Sequence, residues 1–393
     1  MTERLAMPPL RRPRGAIVPG GDYRDPATNP TLAPNWPLKA ASLGRNCRAM
    51  LQGKPTSFDI AQLAGVSQPT VSRALRGDPT VSEATRKRIE AIAIQLNYAV
   101  DKNASSLRRR QSNTLALLFF EDPTADDSLI NPFFLSMLGS IARTCALRGY
   151  DLLTSFQQLS SDWHVDYEDS HKADGIILLG YGDYEVYRDR LARLAEQGTH
   201  FVRWGSVAAG QAGTTIGCDN RLGGHDAAAH LLGCGHRRIA FLGEASSRYP
   251  EIDDRYQGAC DALRAAGLAP DPALRVDAIT TEASGYAAAQ TLLARGVAFD
   301  AVFAASDLIA VGALRALAEA GIAVPGDVSV IGFDDIPAAT LSHPPLTTIA
   351  QDYARAGQVL VDTLLAQIKA QPAATAMLPP RLVVRRSTES RGA

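Results

Sequence analysis

Apolar residues come in short runs through residues 112–390, and longer amphipathic stretches separate these runs. The runs include TLALLFF, DGIILLG, RRIAFLG, DAVFAASD and VSVIGFDD. Runs of about four to eight apolar residues that alternate with helices of about 10 to 17 residues predict βαβ units and parallel sheets. More strands are indicated than one small sheet would hold, so we expect two sheets and two α/β subdomains.

Two such subdomains suggest where a ligand would bind. Open α/β sheets bind ligands at the carboxyl ends of their strands. Two sheets that face each other at those ends make a cleft that can close about a hinge. We therefore expect a small-molecule site between the two subdomains.

Residues 56–111 follow a helical period instead. Ser57 is a good N-cap for a first helix, in which Ile60, Leu63 and Ala64 recur at the spacing of one buried face. A Gly-Val pair then makes a tight turn. This segment therefore predicts a short helix followed at once by another element.

A second short helix follows the turn. Ser67 is its predicted cap, and Val71, Ala74 and Leu75 repeat the buried spacing. A third helix begins at Ser82. Two short helices joined by such a turn are typical of a helix-turn-helix, whose second helix enters the major groove of DNA. The outward face of this second helix is formed by Gln68, Pro69, Thr70, Ser72, Arg73 and Arg76.

An ordinary αα-hairpin with a polar face is the alternative, and local charge argues against it. The whole chain has a net charge of −1. Residues 56–111 contain nine Lys and Arg against five Asp and Glu, and nine minus five gives +4. Positive charge concentrated on one small helical segment favours contact with DNA phosphates.

The polar stretch DKNASSLRRRQSN joins the helical segment to the first apolar run. It could be a flexible linker. It could also fold on DNA and insert Leu107, its one large apolar residue, between base steps of the minor groove. We divide the chain into an extension at residues 1–54, a helix-turn-helix domain at 56–100, a hinge at 101–112 and a core at 113–390.

Residues 1–54 show neither a helical nor a strand period and are rich in Pro, Gly, Arg and Asn. We interpret them as disordered. Translation from Met50 is a second explanation, and a basic arm that touches DNA is a third.

The sequence excludes several other classes of protein. Five scattered cysteines without a CxxC pair indicate no disulfide framework and no metal site, and fit a reducing cytoplasm. No apolar run approaches the roughly 20 residues that span a bilayer, and no signal peptide is indicated. There is no P-loop, dinucleotide fingerprint, GxSxG or HExxH motif, so we expect no catalytic residues, no cofactor and no enzyme activity.

Taken together, these motifs resemble the LacI/GalR family of transcriptional regulators. The resemblance covers residues 56–390 and rests on DIAQLAGVSQPTVSRAL, VSEATRKRIEAIAIQLNY, NPFF, CDNRLGG, HLLGCGHRRIAFLG, RYQGACDAL, ASDLIAVGALRALAEAGIAVPGDVSVIGFDD and HPPLTTIAQDY. It implies a homodimer on a two-fold symmetric DNA operator. It also implies an α-helical helix-turn-helix headpiece joined to an α/β periplasmic-binding-protein-like core of two doubly wound parallel-sheet subdomains, whose ligand controls DNA binding.

The resemblance also assigns roles to residues. Gln68, Pro69 and Arg73 match base-reading positions, Thr70 and Ser72 match phosphate-contacting positions, and Leu107 matches the hinge leucine. Many members have a hydrogen-bonding side chain where this chain has Pro69, which leaves an apolar contact with a thymine methyl group. Matches to effector-binding positions are Phe133, Phe134, Met137, Trp204, Arg255, Ser306 and Asp334.

Each of these core residues has a structural alternative. Arg255 and Asp334 could form an ion pair, and the phenylalanines could belong to the core. An Arg, an Asp and aromatic rings in a concave site suit a saccharide, because hydroxyl groups need donors and acceptors and the sugar C–H face stacks on a ring. We expect a repressor that leaves its operator when a sugar binds. A purine corepressor and a solute-binding protein are the alternatives.

Overall fold

The structure is a computed structural model that describes residues 55–98, 111–119, 130–156, 162–180, 182–208 and 210–390. The chain divides into two compact units, residues 1–100 and 101–393. The extension at residues 1–54 and the hinge residue Leu107 lie outside the described residues.

Within residues 55–98, the first unit is a three-helix headpiece. Its helices are α1 (Ser57–Ala64), α2 (Gln68–Leu75) and α3 (Glu83–Leu96). Thr56, rather than the predicted Ser57, caps α1, and its side chain forms a capping box with Asp59. The cap moves by one residue because the Thr hydroxyl and the Asp carboxylate three residues later satisfy each other's backbone N–H groups.

The buried face of α1 also differs from the prediction. Ala61 is 7 % exposed, whereas Leu63 is 37 % exposed. The inward stripe therefore runs through positions 57, 60, 61 and 64, and Ser57 lies on it. Ile60, Val71 and Ile89, one from each helix, are fully buried and form the centre of the small core.

In the described residues from 111 to 390, the second unit contains two lobes, each with a six-stranded sheet. The N-lobe sheet is parallel throughout, in the order β11-β5-β4-β3-β1-β2. Its elements are β1 (Thr114–Phe119), α4 (Pro132–Arg148), β2 (Asp151–Phe156), a π-helical turn (His164–Asp169), β3 (Ile176–Leu179), α5 (Tyr184–Glu196), β4 (Phe201–Trp204), β5 (Thr214–Cys218), α11 (Tyr353–Ile368) and β11 (Ala376–Leu378).

The C-lobe sheet has the order β12-β10-β9-β8-β6-β7, and β12 alone runs antiparallel to its neighbour. Its elements are α6 (Asn220–Gly233), β6 (Ile239–Leu242), α7 (Pro250–Ala265), a 3₁₀ turn (Pro272–Leu274), β7 (Arg275–Val276), α8 (Glu282–Ala294), β8 (Ala301–Ala304), α9 (Asp307–Glu319), β9 (Ser329–Asp334), α10 (Pro337–Leu341), β10 (Thr347–Ala350) and β12 (Arg381–Val383).

The chain passes between the lobes after β5, after β10 and between β11 and β12. Central strands such as β3 and β8 are buried along their whole length, as expected for parallel strands covered on both faces. The predicted fold class, with two mostly parallel sheets, is confirmed. Trp204 and Asp334, the last residues of β4 and β9, are among the core residues described below.

Candidate functional site: an exposed helix and an inter-lobe cleft

The predicted DNA-contacting residues lie together on α2. Pro69 and Arg73 are exposed, and Gln68, Thr70 and Ser72 are half-buried. Val71 and Ala74 face the headpiece core. The helix therefore separates an apolar inner face from a polar outer face, as the sequence predicted.

Two contacts organise the start of α2. The hydroxyl groups of Ser67 and Thr70 lie 2.9 Å apart. The side-chain amide of Gln68 donates to Ser57 Oγ of α1 at 3.1 Å. Ser57 was predicted only as a helix cap, so the sequence did not reveal this contact.

One basic residue of the headpiece has a structural role. Arg86 donates to the backbone carbonyl of Asp78 at 2.9 Å and lies 3.4 Å from Glu83. Its side chain is only 24 % exposed. Arg86 therefore stabilises the loop between α2 and α3, and exposed charge on this unit comes from residues such as Arg73, Arg76 and Arg88.

In the core, Arg255 of α7 lies at the centre of a buried polar network. Its Nε donates to Asn220 Oδ1 at 2.9 Å, and its Nη1 donates to the carbonyl oxygen of Ala305. Its Nη2 lies 3.6 Å from Asp334 Oδ1, and its guanidinium carbon is 3.7 Å from the ring centroid of Phe333. Arg255 is fully buried.

Asp334 ends β9 and is held on a second side. Gln351, just after β10, donates its amide to Asp334 Oδ1 at 2.6 Å. The φ angle of Asp334 is 114°, a backbone conformation that L-residues rarely adopt. Strain of this kind is often kept at binding sites. The structure places Arg255 and Asp334 close together, in the arrangement that the ion-pair alternative predicts.

A second buried carboxylate lies beneath this network. Asp307 accepts hydrogen bonds from Thr348 Oγ1 at 2.5 Å and from the backbone N–H of Ile336 at 2.9 Å. Burial, reinforced by the charge of Asp334, raises the pKa of Asp307 well above its ordinary value. Sequence analysis did not select Asp307, Asn220 or Gln351, although each lies within a motif that carried the family resemblance.

The aromatic candidates lie in the N-lobe. The rings of Phe133 and Trp204 have centroids 6.0 Å apart, and Phe133 meets Phe134 edge-on at 5.3 Å. Met137 is fully buried on the same helix. All four side chains, those of Phe133, Phe134, Met137 and Trp204, are buried in the apolar core.

Ser306 has an identifiable local role. It is the N-cap of α9, and its hydroxyl accepts the backbone N–H of Ile309 at 3.3 Å. It is fully buried. The predicted effector residues thus form an aromatic group in the N-lobe and an Arg–Asp network in the C-lobe.

A further polar group spans the two lobes around Gly205, which follows β4. A Cβ added to Gly205 would lie 2.7 Å from Arg203 Nη1 and 3.0 Å from Glu251 Oε1. Arg203 comes from the N-lobe and Glu251 from α7 of the C-lobe. Arg203 is 4 % exposed, and its Nε has no hydrogen-bond partner among the described residues. Sequence analysis missed this pair because residues far apart in the chain create it.

Direct hydrogen bonds also join the lobes here. Glu251 accepts the backbone N–H of Ser206 at 2.7 Å, and Asp254 accepts the Ser206 hydroxyl at 2.7 Å. Burial raises the pKa of Asp254, whereas this hydrogen bond lowers it. Burial lowers the pKa of Arg203, and the charge of Glu251 opposes this effect.

The matched families cover both units. The model described as bacterial regulatory proteins of the lacI family matches residues 58–101, and that of a periplasmic binding protein-like domain matches residues 228–388. The ribose operon repressor of Escherichia coli K12 is 33 % identical over 316 residues, which cover 80 % of this chain and 93 % of the repressor. The chain belongs to the LacI family.

Another relative of this LacI-family chain is the transcriptional repressor PurR of Haemophilus influenzae, 28 % identical over 85 % of this chain and 99 % of PurR. A regulator CelR–cellobiose complex superposes with a TM-score of 0.63 and 31 % identity, over 85 % of this chain and 99 % of CelR. A Lac repressor dimer bound to operator and the anti-inducer ONPF superposes with a TM-score of 0.75 and 27 % identity, over 86 % of this chain and 100 % of the Lac repressor chain.

These similarities confirm the family resemblance predicted from the motifs. The relatives are transcriptional regulators rather than enzymes. No helix in the described ranges is long and apolar enough to cross a membrane. Within the same ranges, no group of three or more His, Cys, Asp or Glu side chains could hold a metal ion.

Proposed function

We propose that this protein is a ligand-responsive repressor that binds a two-fold symmetric operator as a homodimer. The observation that carries the proposal is a helix-turn-helix headpiece with an exposed polar α2, in the same chain as a two-lobed core. We assign base contacts to Gln68, Pro69 and Arg73 and phosphate contacts to Thr70 and Ser72. Insertion of Leu107 into the minor groove stays a prediction.

We assign effector binding to the space between the lobes, to Trp204 and Asp334 at the ends of β4 and β9 and to Phe133 and Arg255 on α4 and α7. Three further residues were predicted to line this site: Phe134, Met137 and Ser306. We expect them to pack against the residues that contact the effector. The polarity at Gly205 favours a sugar. A sugar hydroxyl group that reached Arg203 and Glu251 could accept from the guanidinium group and donate to the carboxylate.

Two relatives support the sugar class: one is named for the ribose operon, and one was solved with cellobiose. A purine is the second candidate, because PurR is also similar to this chain. A purine ring requires flat apolar surfaces on both faces. The ring pair Phe133–Trp204 of the described N-lobe is buried in its core, whereas the side chains around Gly205 are polar and charged, which favours the sugar.

Homodimer formation is supported by an exposed apolar surface on the N-lobe. Strand β2 is at the edge of its sheet, and its Leu153 and Phe156 are each 39 % exposed. Leu147, at the end of α4, is 77 % exposed. An unpaired strand edge beside exposed apolar side chains favours association. We therefore place a second copy of the chain against β2.

The effector proposal is tested by measuring operator affinity with ribose, cellobiose and a panel of other sugars, with hypoxanthine and guanine in parallel. A sugar that weakens operator binding by the wild-type chain, but not by Gly205→Ala, supports the assignment. The added methyl group would lie 2.7 Å from Arg203 Nη1 and 3.0 Å from Glu251 Oε1, so these side chains would have to move. Release by no sugar, or tighter operator binding with a purine, would overturn the sugar class and leave the DNA-binding role intact.

A further inference from the structure

The inward face of α1 begins with a polar residue. Positions 57, 60, 61 and 64 share one face of the helix, and three of them are buried apolar residues, Ile60, Ala61 and Ala64. The fourth is Ser57, which is half-buried. A hydroxyl group at the edge of a small apolar core adds little to packing and needs a polar partner.

The Ser57 hydroxyl meets Gln68, the first residue of α2. Gln68 Nε2 donates to Ser57 Oγ at 3.1 Å across the helix pair. Gln68 is also half-buried, so both partners are partly shielded from water. Shielding favours such a bond, because fewer waters compete for the two groups.

The other polar side chains on the outer face of α2 are held differently. The Thr70 hydroxyl contacts its near neighbour Ser67 at 2.9 Å. Arg76 Nε donates to the backbone of Ser72 at 3.0 Å within the same turn. No hydrogen bond from the Arg73 side chain occurs within the described residues. Gln68 is therefore tied to a different helix, which fixes its direction relative to the headpiece.

Fixing a glutamine matters for recognition. A free Gln side chain has three rotatable bonds, and ordering it costs up to about 2 kcal/mol. A glutamine already held in one rotamer loses less entropy when it contacts a base. It also presents one arrangement of donor and acceptor rather than several, and base pairs differ in that arrangement in the major groove.

We propose that Ser57 is a positioning residue that holds Gln68 in its base-reading rotamer and so sharpens the operator preference at one base pair of each half-site. This inference rests on the proposed base-reading role of α2. Ser57 acts through Gln68, and removal of its hydroxyl should reduce discrimination more than overall affinity. Phosphate contacts, which carry most sequence-independent affinity, stay in place.

The test is competitive selection from a randomised double-stranded DNA library at one salt concentration, with the full-length wild-type chain and Ser57→Ala, Gln68→Ala and the double variant. We expect Ser57→Ala to lower discrimination at one symmetric pair of positions by roughly 3- to 10-fold, part of what one good base contact supplies. Ser57→Thr, which keeps a hydroxyl group, should restore it.

The double variant separates positioning from a direct contact. If Ser57 acts through Gln68, Ser57→Ala should change nothing further in the Gln68→Ala background. Additive losses, or wild-type discrimination by Ser57→Ala alone, would overturn the proposal. Ser82→Ala is the control for stability, because it removes the α3 cap bond to Thr85 and leaves Gln68 untouched. If the wild-type chain enriches no sequence, base reading by α2 fails, and the inference fails with it.

Discussion

At the scale of single residues, the contact of His200 with Glu168 predicts that the stability of the core depends on pH. Its Nδ1 lies 3.1 Å from Glu168 Oε1, and the same oxygen accepts the His200 backbone N–H at 2.7 Å. The hydrogen bond to Glu168 raises the pKa of His200 above 6.5; burial opposes it, and the charges of Glu168 and Asp174 add to it. His164, whose Nδ1 is 3.7 Å from the other Glu168 oxygen, and Asp169 complete the surroundings.

We therefore predict that His200→Asn destabilises the core more at about pH 6 than at about pH 9. A histidine whose pKa is higher in the folded state than in the unfolded state stabilises the fold at pH values below its unfolded-state pKa. This stabilisation is lost as the pH rises through its folded-state pKa. Melting temperatures across this range measure the difference. In the Glu168→Gln background, the destabilisation by His200→Asn should no longer depend on pH. If His200→Asn lowered the melting temperature equally at both pH values in the otherwise wild-type chain, the assignment would be contradicted.

The buried pair of Arg255 and Asp334 makes a second prediction at this scale. Asp334→Asn keeps the shape but leaves the Arg255 charge without its carboxylate, and breaking a buried pair in this way costs about 3–5 kcal/mol. Denaturant unfolding should show that loss. Arg255→Met combined with Asp334→Asn should recover part of it, because no charge is then left alone. If the loss of unfolding free energy in the double variant equalled the sum of the losses in Arg255→Met and Asp334→Asn, the coupling between the two residues would be contradicted.

Individual residues also show what the sequence could predict. The α2 face and the nearness of Arg255 to Asp334 follow from local spacing and family motifs. The close approach of Arg203 and Glu251 at Gly205 could not be predicted, because these residues come from different lobes and lie far apart in the chain. The Ser57–Gln68 contact was missed for a related reason: it depends on how two helices cross.

At the scale of elements, helices α6 and α7 approach each other through glycines. A Cβ at Gly224 would lie 2.0 Å from the carbonyl oxygen of Arg255, and one at Gly258 would lie 2.0 Å from that of Arg221. Both neighbours are backbone atoms, so the helices would have to separate. This close packing fixes the helix that carries Arg255.

We predict that Gly224→Ala lowers the free energy of unfolding by about 1–3 kcal/mol, as expected for overpacking. It should also weaken the response to an effector, because the new methyl group pushes against Arg255. Gly233→Ala, in the same helix but with open space around it, is the matched control. There the gain in helix propensity should make the change neutral or stabilising by up to about 1 kcal/mol. Equal effects at the two positions would contradict this packing argument.

The elements also show the limits of prediction from the sequence. The alternation of strands and helices was predictable, because buried parallel strands appear as continuous apolar runs. The start of α1 was misplaced by one residue, because Thr56 and Ser57 are both good caps and only the reciprocal bond with Asp59 distinguishes them. The π-helical turn His164–Asp169 is rich in polar and charged residues, yet the side chain of Glu168 in it is only 14 % exposed.

At the scale of the whole molecule, hydrogen bonds between the lobes stabilise the arrangement of the cleft. Besides the Ser206–Asp254 bond, the Ser247 hydroxyl donates to Glu185 at 2.6 Å, and the backbone N–H of Tyr184 donates to the carbonyl oxygen of Arg248 at 2.9 Å. These bonds form between protein groups alone. An effector bound between the lobes would add its own contacts to these bonds.

We predict that the double variant Ser206→Ala, Ser247→Ala opens the cleft. Its hydrogen exchange should increase at the strand ends on both sides of the cleft, without a loss of secondary structure. Ser140→Ala, which removes a 2.7 Å bond to Ala354 inside the N-lobe, is the control. Exchange at the cleft that matches the wild-type chain would show that these bonds do not hold the lobes together.

The measurement that tests the central claim most directly is selection of genomic DNA fragments by the purified full-length chain at a fixed salt concentration. Non-specific binding depends mainly on phosphate charge, so enrichment of one sequence requires base reading. The account predicts a two-fold symmetric site, as a dimer of helix-turn-helix headpieces requires. Enrichment of no sequence would contradict the proposed recognition face of α2, and an asymmetric single site would contradict the homodimer.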